Sequence, residues 1–208
     1  MRNRTKIYWF GFIFSCIVHF GLLLLCLLFS LGIVSPESLG ITKYLLDYTG
    51  RLTAIVVINS LLLTLYFKKK YYKDLNLVLI VFLLNVIFFL DTLGNFWGWY
   101  DVNGIFAVLW FDDFVHFVAP LLISIGIFRS LVNIKQYSKG ISLVLASSIS
   151  FGITVLWEIY EYWSDRLFST QMLKGGIDDT MIDLSVGLLG IFVFYFVFGL
   201  LLKKRGDN

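Results

Sequence analysis

Six long apolar segments divide this chain, and a lipid bilayer is the medium such segments require. They run roughly over Ile7–Val34, Leu52–Phe67, Leu75–Leu93, Phe114–Leu131, Ile141–Glu161 and Asp179–Leu202. Each is read as a span of a hydrocarbon core about 30 Å thick. Backbone polar groups left bare in lipid are costly, so the spans must be helices or a closed barrel. The runs are too long and too uniformly apolar for barrel strands, which alternate. The fold class expected is therefore all-α, a polytopic bundle of about six transmembrane helices forming a single integral membrane domain over residues 1–208. Composition agrees: only 15% of residues are charged and 59% are hydrophobic. A soluble domain carries about 25% charge to cover its surface.

The basic residues orient the spans. Arg2, Arg4 and Lys6 precede span one, and Lys68, Lys69, Lys70 and Lys73 separate spans two and three. Arg129, Lys135 and Lys139 mark the turn between spans four and five; Lys203, Lys204 and Arg205 follow span six. Only Lys43, Arg51, Arg166 and Lys174 fall on the other side. By the positive-inside rule both termini face the cytoplasm, and the expected location is the cytoplasmic membrane. No basic stretch is built for nucleic acid, so the lipid bilayer is the expected partner. The basic N-terminus before span one is signal-like, but the apolar run exceeds a signal h-region, so a retained first span is expected. Cys16 and Cys26 would lie roughly 15 Å apart on one helix, too far to bridge.

On this topology all acids but Asp74 and Asp207 collect on the outer side. Three motifs stand out: Asp112-Asp113-x-x-His116, Glu158-x-x-Glu161 and Asp178-Asp179-x-x-x-Asp183. Span five adds Ser147, Ser150 and Thr154 at steps that share a face with Glu158 and Glu161. Span four sets Asp112, His116, Pro120 and Ser124 four apart; span six sets Asp179, Asp183 and Gly187 four apart. Span three ends with Asp91 and Asn95, again four apart. Residues at helix ends can mark the membrane boundary, and Asp178–Asp179 can cap span six. Asp183 and His116 lie at least a turn inside apolar sequence, where an acid at a span centre costs about 2.5–3.5 kcal/mol. His19, Asn59 and Asn85 read as hydrogen-bonding glue between helices. The aromatic stretch Phe96-Trp97-Gly98-Trp99-Tyr100 suits the membrane interface, and Ser35-Pro36-Glu37 suits the start of a short helix.

The candidate catalytic residues are thus Asp112, His116, Glu158, Glu161, Asp179 and Asp183. Five of these, His116, Glu158, Glu161, Asp179 and Asp183, have the spacing by which helix bundles supply metal ligands. An oxygen-rich set with one imidazole suits one divalent cation, with Mg²⁺, Mn²⁺, Ca²⁺ and Zn²⁺ all open. Unmetallated, the same carboxylates would share protons and serve as a proton or cation site.

The ordered motifs Asp91-x-x-Gly94-Asn95, Tyr100-Asp101, Asp112-x-x-x-His116-Phe117, Trp157-Glu158-x-x-Glu161 and Asp179-Thr180-x-x-Asp183 resemble the YjdF-type inner-membrane proteins. More distantly they resemble the VanZ-like family, whose E-x-x-Q stands here as Glu158-x-x-Glu161. The VanZ-like D-x-x-x-N-x-x-G stands as Asp183-x-x-x-Gly187-x-x-Gly190, with glycine in place of asparagine. The YjdF-type resemblance implies a multi-span membrane fold and supplies no established activity. Three functions stay open: a divalent-metal enzyme acting on a lipid or lipid-linked phosphate at the outer leaflet, a small proton- or cation-coupled carrier, and a non-catalytic envelope accessory protein.

Overall fold

The structure, a computed structural model, describes residues 2–39, 52–53, 55–61, 64, 75–100, 108, 110–169, 172–173 and 176–204. Every regular element among them is helical: α1 (Arg2–Ser30), α2 (Leu75–Phe96), α3 (Phe111–Asn133), α4 (Lys139–Phe168) and α5 (Ile177–Lys204), with a 3₁₀ turn over Pro36–Leu39. Each of the five α-helices carries a stretch of 19 to 30 residues long and apolar enough to cross a membrane. The chain is an all-α polytopic membrane protein. Large apolar side chains such as Phe10, Ile17, Leu156 and Phe196 point outward, as lipid requires.

The chain forms two compact units, Met1–Phe111 and Asp112–Asn208. In the first, α1 packs along α2 in parallel: Tyr8 meets Phe82, Ser15 meets Asn85, and His19 meets Thr92. Parallel neighbours need the chain to return between them. Leu52, whose side chain is buried with Cys26, Phe29 and Phe96, begins that return at the end where α1 and α2 finish. Residues 52–53, 55–61 and 64 are helical; the rest of the expected span Leu52–Phe67 lies outside the described residues. Cys16 and Cys26 are free thiols.

In the second unit α4 runs antiparallel to both α3 and α5. At one end, Phe128, Leu143, Ala146 and Phe194 form an apolar core. There Phe128, Phe194 and Phe198 pack with ring centroids 4.8–5.9 Å apart. Polar side chains occupy the other end, so the interior of the unit is apolar toward one end and acidic toward the other.

Hydropathy misplaced several helix ends. Span one was expected to reach Val34, but α1 stops at Ser30 because Gly32 turns into the left-handed region (φ 68°). The amides of Gly32 and Ile33 bond back to the carbonyls of Phe29 and Leu28 at 3.0 Å, a glycine-dependent stop. Span five was expected to end at Glu161, yet α4 continues to Phe168 and ends at Ser169 in the left-handed conformation. Its last turns carry Tyr162, Trp163 and Leu167, amphipathic sequence that suits an interface. The short helix expected at Ser35–Pro36 is present, with the Ser38 amide bonded to Ser35 Oγ at 3.3 Å. Asp178 and Asp179 lie inside the first turn of α5 rather than capping it, where the helix dipole still favours their charge.

Candidate functional site

Helix α3 opens after Trp110, which adopts a positive φ of 66°. Asp112 and Asp113 occupy its first turn, at the positive end of the dipole. His116 follows Asp112 by four residues and shares its face. One turn further, Pro120 has no N–H, so the His116 carbonyl loses its α-helical donor. That carbonyl faces α5 at Gly187, where a Cβ would sit 3.4 Å from it. Ser150 of α4 donates to the Pro120 carbonyl at 2.9 Å, tying α4 to the same segment.

Around His116 the three helices bring their carboxylates together. Nδ1 lies 3.4 Å from Glu158 Oε1 on α4. Nε2 lies 3.5 Å from Asp112 Oδ1 and 3.9 Å from Asp183 Oδ2 on α5. Two overlapping sets therefore share the imidazole. His116, Glu158 and Glu161 offer ligand atoms all within 4.8 Å of one another, and so do Asp112, His116 and Asp183. Burial differs between the two. Glu158 is 3% exposed, Asp183 3% and Glu161 8%, whereas the Asp112 side chain is 38% exposed. Both carboxylate oxygens of Glu158 lack a hydrogen-bond partner; His116 Nδ1 is within ion-pair reach but not hydrogen bonded. Glu161 is held differently, with Trp157 Nε1–H donating to its Oε1 at 2.8 Å.

Of the six residues expected from sequence, five meet: Asp112, His116, Glu158, Glu161 and Asp183. Asp179 contributes no ligand atom to either set among the described residues. The hydroxyl stripe of α4 is divided. Ser150 and Thr154 are buried toward the site, while Ser147 bonds back to the Leu143 carbonyl at 3.0 Å. The roles of two contributors were not read from the sequence. Trp157 anchors Glu161, and its i, i+4 spacing was the available signal. Asp165 accepts the amides of Met172 and Leu173 at 2.6 and 2.8 Å, closing the α4–α5 connection. No spacing rule marks a carboxylate that clamps a loop seven residues away.

The first unit has its own polar contacts. Asp91 Oδ1 accepts from Asn95 Nδ2 at 2.8 Å and from the Tyr100 hydroxyl at 3.2 Å. His19 is fully buried between α1 and α2. Its Nδ1 lies 2.7 Å from the Ser15 carbonyl and its Nε2 3.1 Å from Thr92 Oγ1. Ser15 Oγ also donates to Asn85 Oδ1 at 3.3 Å. The glue expected of His19 and Asn85 is what this geometry provides, whereas Asn59, read the same way, is buried with no hydrogen-bond partner on either side-chain polar atom among the described residues.

Chemically, the second unit sets four carboxylates around one imidazole at the polar end of a membrane helix bundle. Neither Lys nor Arg pairs with Glu158, Glu161 or Asp183 among the described residues. Buried carboxylates at such distances require protons or a cation to offset their repulsion.

A curated relative from Thermotoga maritima, named only as an uncharacterized protein, is 25% identical over 108 residues. The match covers 51% of this chain and 54% of the relative, so the chain spans about half the length of the curated protein it matches. No solved structure matches the chain. A family described as "Predicted membrane protein (DUF2238)" matches residues 9–205, nearly the whole chain, and the protein belongs to that family.

Proposed function

We propose that the cluster around His116 is a divalent-cation centre, and that it acts on the phosphate of a lipid or lipid-linked substrate at the extracytoplasmic face. The observation that carries this reading is Glu158. The residue is 3% exposed, and its carboxylate has no hydrogen-bond partner and stands beside His116 Nδ1. A buried ionised carboxylate without donors is expensive, and a cation between it and the imidazole removes that cost. A bound divalent ion would polarise a phosphoryl oxygen or activate water. An amphiphilic substrate is supported by the exposed rings and apolar chains at this end of the unit, among them Phe114, Trp163, Phe168 and Ile177. Asp112, His116, Glu158, Glu161, Asp179 and Asp183 are the residues assigned to the chemistry, with Asp179 outside both ligand sets.

Both termini are placed in the cytoplasm and the site outside, in a cytoplasmic membrane, on the strength of the Lys/Arg distribution. The two units are taken to make one integral membrane domain, and the YjdF-type resemblance is the finer form of the family membership. Metal analysis of full-length protein purified without chelator tests the function. About one divalent ion per chain, with lost stability after chelation, supports it; metal-free protein indifferent to chelator sinks it. Reporter fusions at the C-terminus test the orientation, and an outward C-terminus would reverse the placement of the site.

A second reading, a proton- or cation-coupled carrier, is favoured by one feature. Ser124 is fully buried one turn beyond Pro120, and its hydroxyl has no hydrogen-bond partner. Together with Ser150 and Thr154 it extends polar groups inward from the carboxylates. Ion flux in proteoliposomes that fails in Asp183→Asn and Ser124→Ala would favour transport over catalysis.

A further inference from the structure

Resting on the cation reading above, we infer that the ion occupies the Nδ1 face of His116, ligated by His116, Glu158 and Glu161, and belongs to the zinc class rather than the magnesium or calcium class. Asp112 and Asp183 then hold the imidazole from its Nε2 face, and Trp157 positions Glu161. Three observations separate the two faces. In the set of His116, Glu158 and Glu161 all three residues are buried, and Glu158, which faces Nδ1, has both oxygens without hydrogen-bond partners. Asp112, on the Nε2 side, is 38% exposed and can be solvated in place. The Trp157 N–H engages one oxygen of Glu161 at 2.8 Å and fixes the carboxylate beside the other ligands.

Charge balance points the same way. A dication with two carboxylates and a neutral imidazole is a neutral assembly, the form a low-dielectric interior tolerates. An imidazole whose Nδ1 binds metal carries its proton on Nε2, and ligating histidines commonly offer that proton to a carboxylate. Asp112 and Asp183 stand there, at 3.5 and 3.9 Å.

Donor type selects the ion. Mg²⁺ keeps several waters in its octahedral shell, and Ca²⁺ takes six to eight oxygens. Imidazole suits zinc-like ions better than either. Three protein ligands leave a fourth position open, as catalytic rather than structural zinc sites do.

The test uses full-length protein in detergent, stripped with chelator and titrated with Co²⁺, Zn²⁺ and Mg²⁺. Expected is one equivalent of Co²⁺ with the intense visible absorption of a four-coordinate ion, displaced by Zn²⁺ and unaffected by excess Mg²⁺. Glu158→Gln and Glu161→Gln are expected to weaken Zn²⁺ binding by more than about 100-fold. Asp112→Asn, Asp183→Asn and Trp157→Phe should stay within the roughly 10–100-fold range of outer-shell partners. Loss of binding in Asp112→Asn and Asp183→Asn with near-normal binding in Glu158→Gln would move the ion to the Nε2 face. A weak, octahedral-type Co²⁺ spectrum, or competition by Mg²⁺, overturns the ion class even if every variant misfolds. Absence of any divalent binding by the wild type would instead remove the cation reading itself.

Discussion

Adding one methyl group at Gly190 tests whether close approach of α5 to α3 builds the site. A Cβ there would overlap the Phe117 carbonyl oxygen and lie 3.2 Å from the carbonyl carbon. The obstacle is helix backbone, which cannot rotate away as a side chain can. Relief to an ordinary carbon–oxygen contact of about 3.3–3.6 Å requires the helices to part by roughly 1 Å. Overpacking of this kind costs about 1–3 kcal/mol. Alanine also gains roughly 0.5–1 kcal/mol over glycine within a helix, so a control is needed. Gly199 supplies it, since a Cβ there meets only Leu143 Cδ2, at 3.8 Å. Equilibrium unfolding in mixed detergent micelles should place Gly190→Ala below Gly199→Ala by about 1–3 kcal/mol. Because His116 and Asp183 flank the same interface, divalent-ion affinity should fall in Gly190→Ala and hold in Gly199→Ala. Equal stability and equal affinity of the two variants would refute the close-approach reasoning.

Asp165→Ala removes the acceptor of the Met172 and Leu173 amides and should cost about 1.5–3 kcal/mol, the range for hydrogen bonds to a charged group. Limited proteolysis of the α4–α5 connection should accelerate with it, and an unchanged cleavage rate would show that the clamp is idle. Ser15→Ala breaks the link from Ser15 Oγ to His19 and Asn85 between α1 and α2. Polar contacts between membrane helices average about 0.6 kcal/mol and reach about 1.7 kcal/mol. A loss inside that span is expected by unfolding in micelles, and a stabilised variant would contradict the glue role.

Much of the architecture was legible because lipid leaves few choices. Apolar length alone located all five described long helices, and the i, i+4 spacings of Asp112 with His116 and of Asp179 with Asp183 placed the acids on shared faces. Helix ends were less legible, since hydropathy does not register the positive φ of Gly32 that stops α1. Nor does it register the amphipathic last turns of α4. At the site, spacing nominated six residues and the structure gathered five; Asp179 shares the face of Asp183 but lies a turn nearer the helix start. The bond from Trp157 to Glu161 was visible as spacing but not as chemistry, because an indole beside acids in a span reads first as an interfacial anchor. The division of His116 into two faces depends on ring orientation, which a sequence does not carry.

The cation centre itself is tested most directly by unfolding chelator-stripped wild type and Glu158→Gln side by side, with and without Zn²⁺. An ion that binds only the folded protein adds about 2.7 kcal/mol of stability at a free concentration 100 times its dissociation constant. The wild type is expected to gain stability that rises with Zn²⁺ concentration, and Glu158→Gln to gain almost none over the same range. No gain in the wild type, or an equal gain in both, would contradict a cation held between Glu158 and His116.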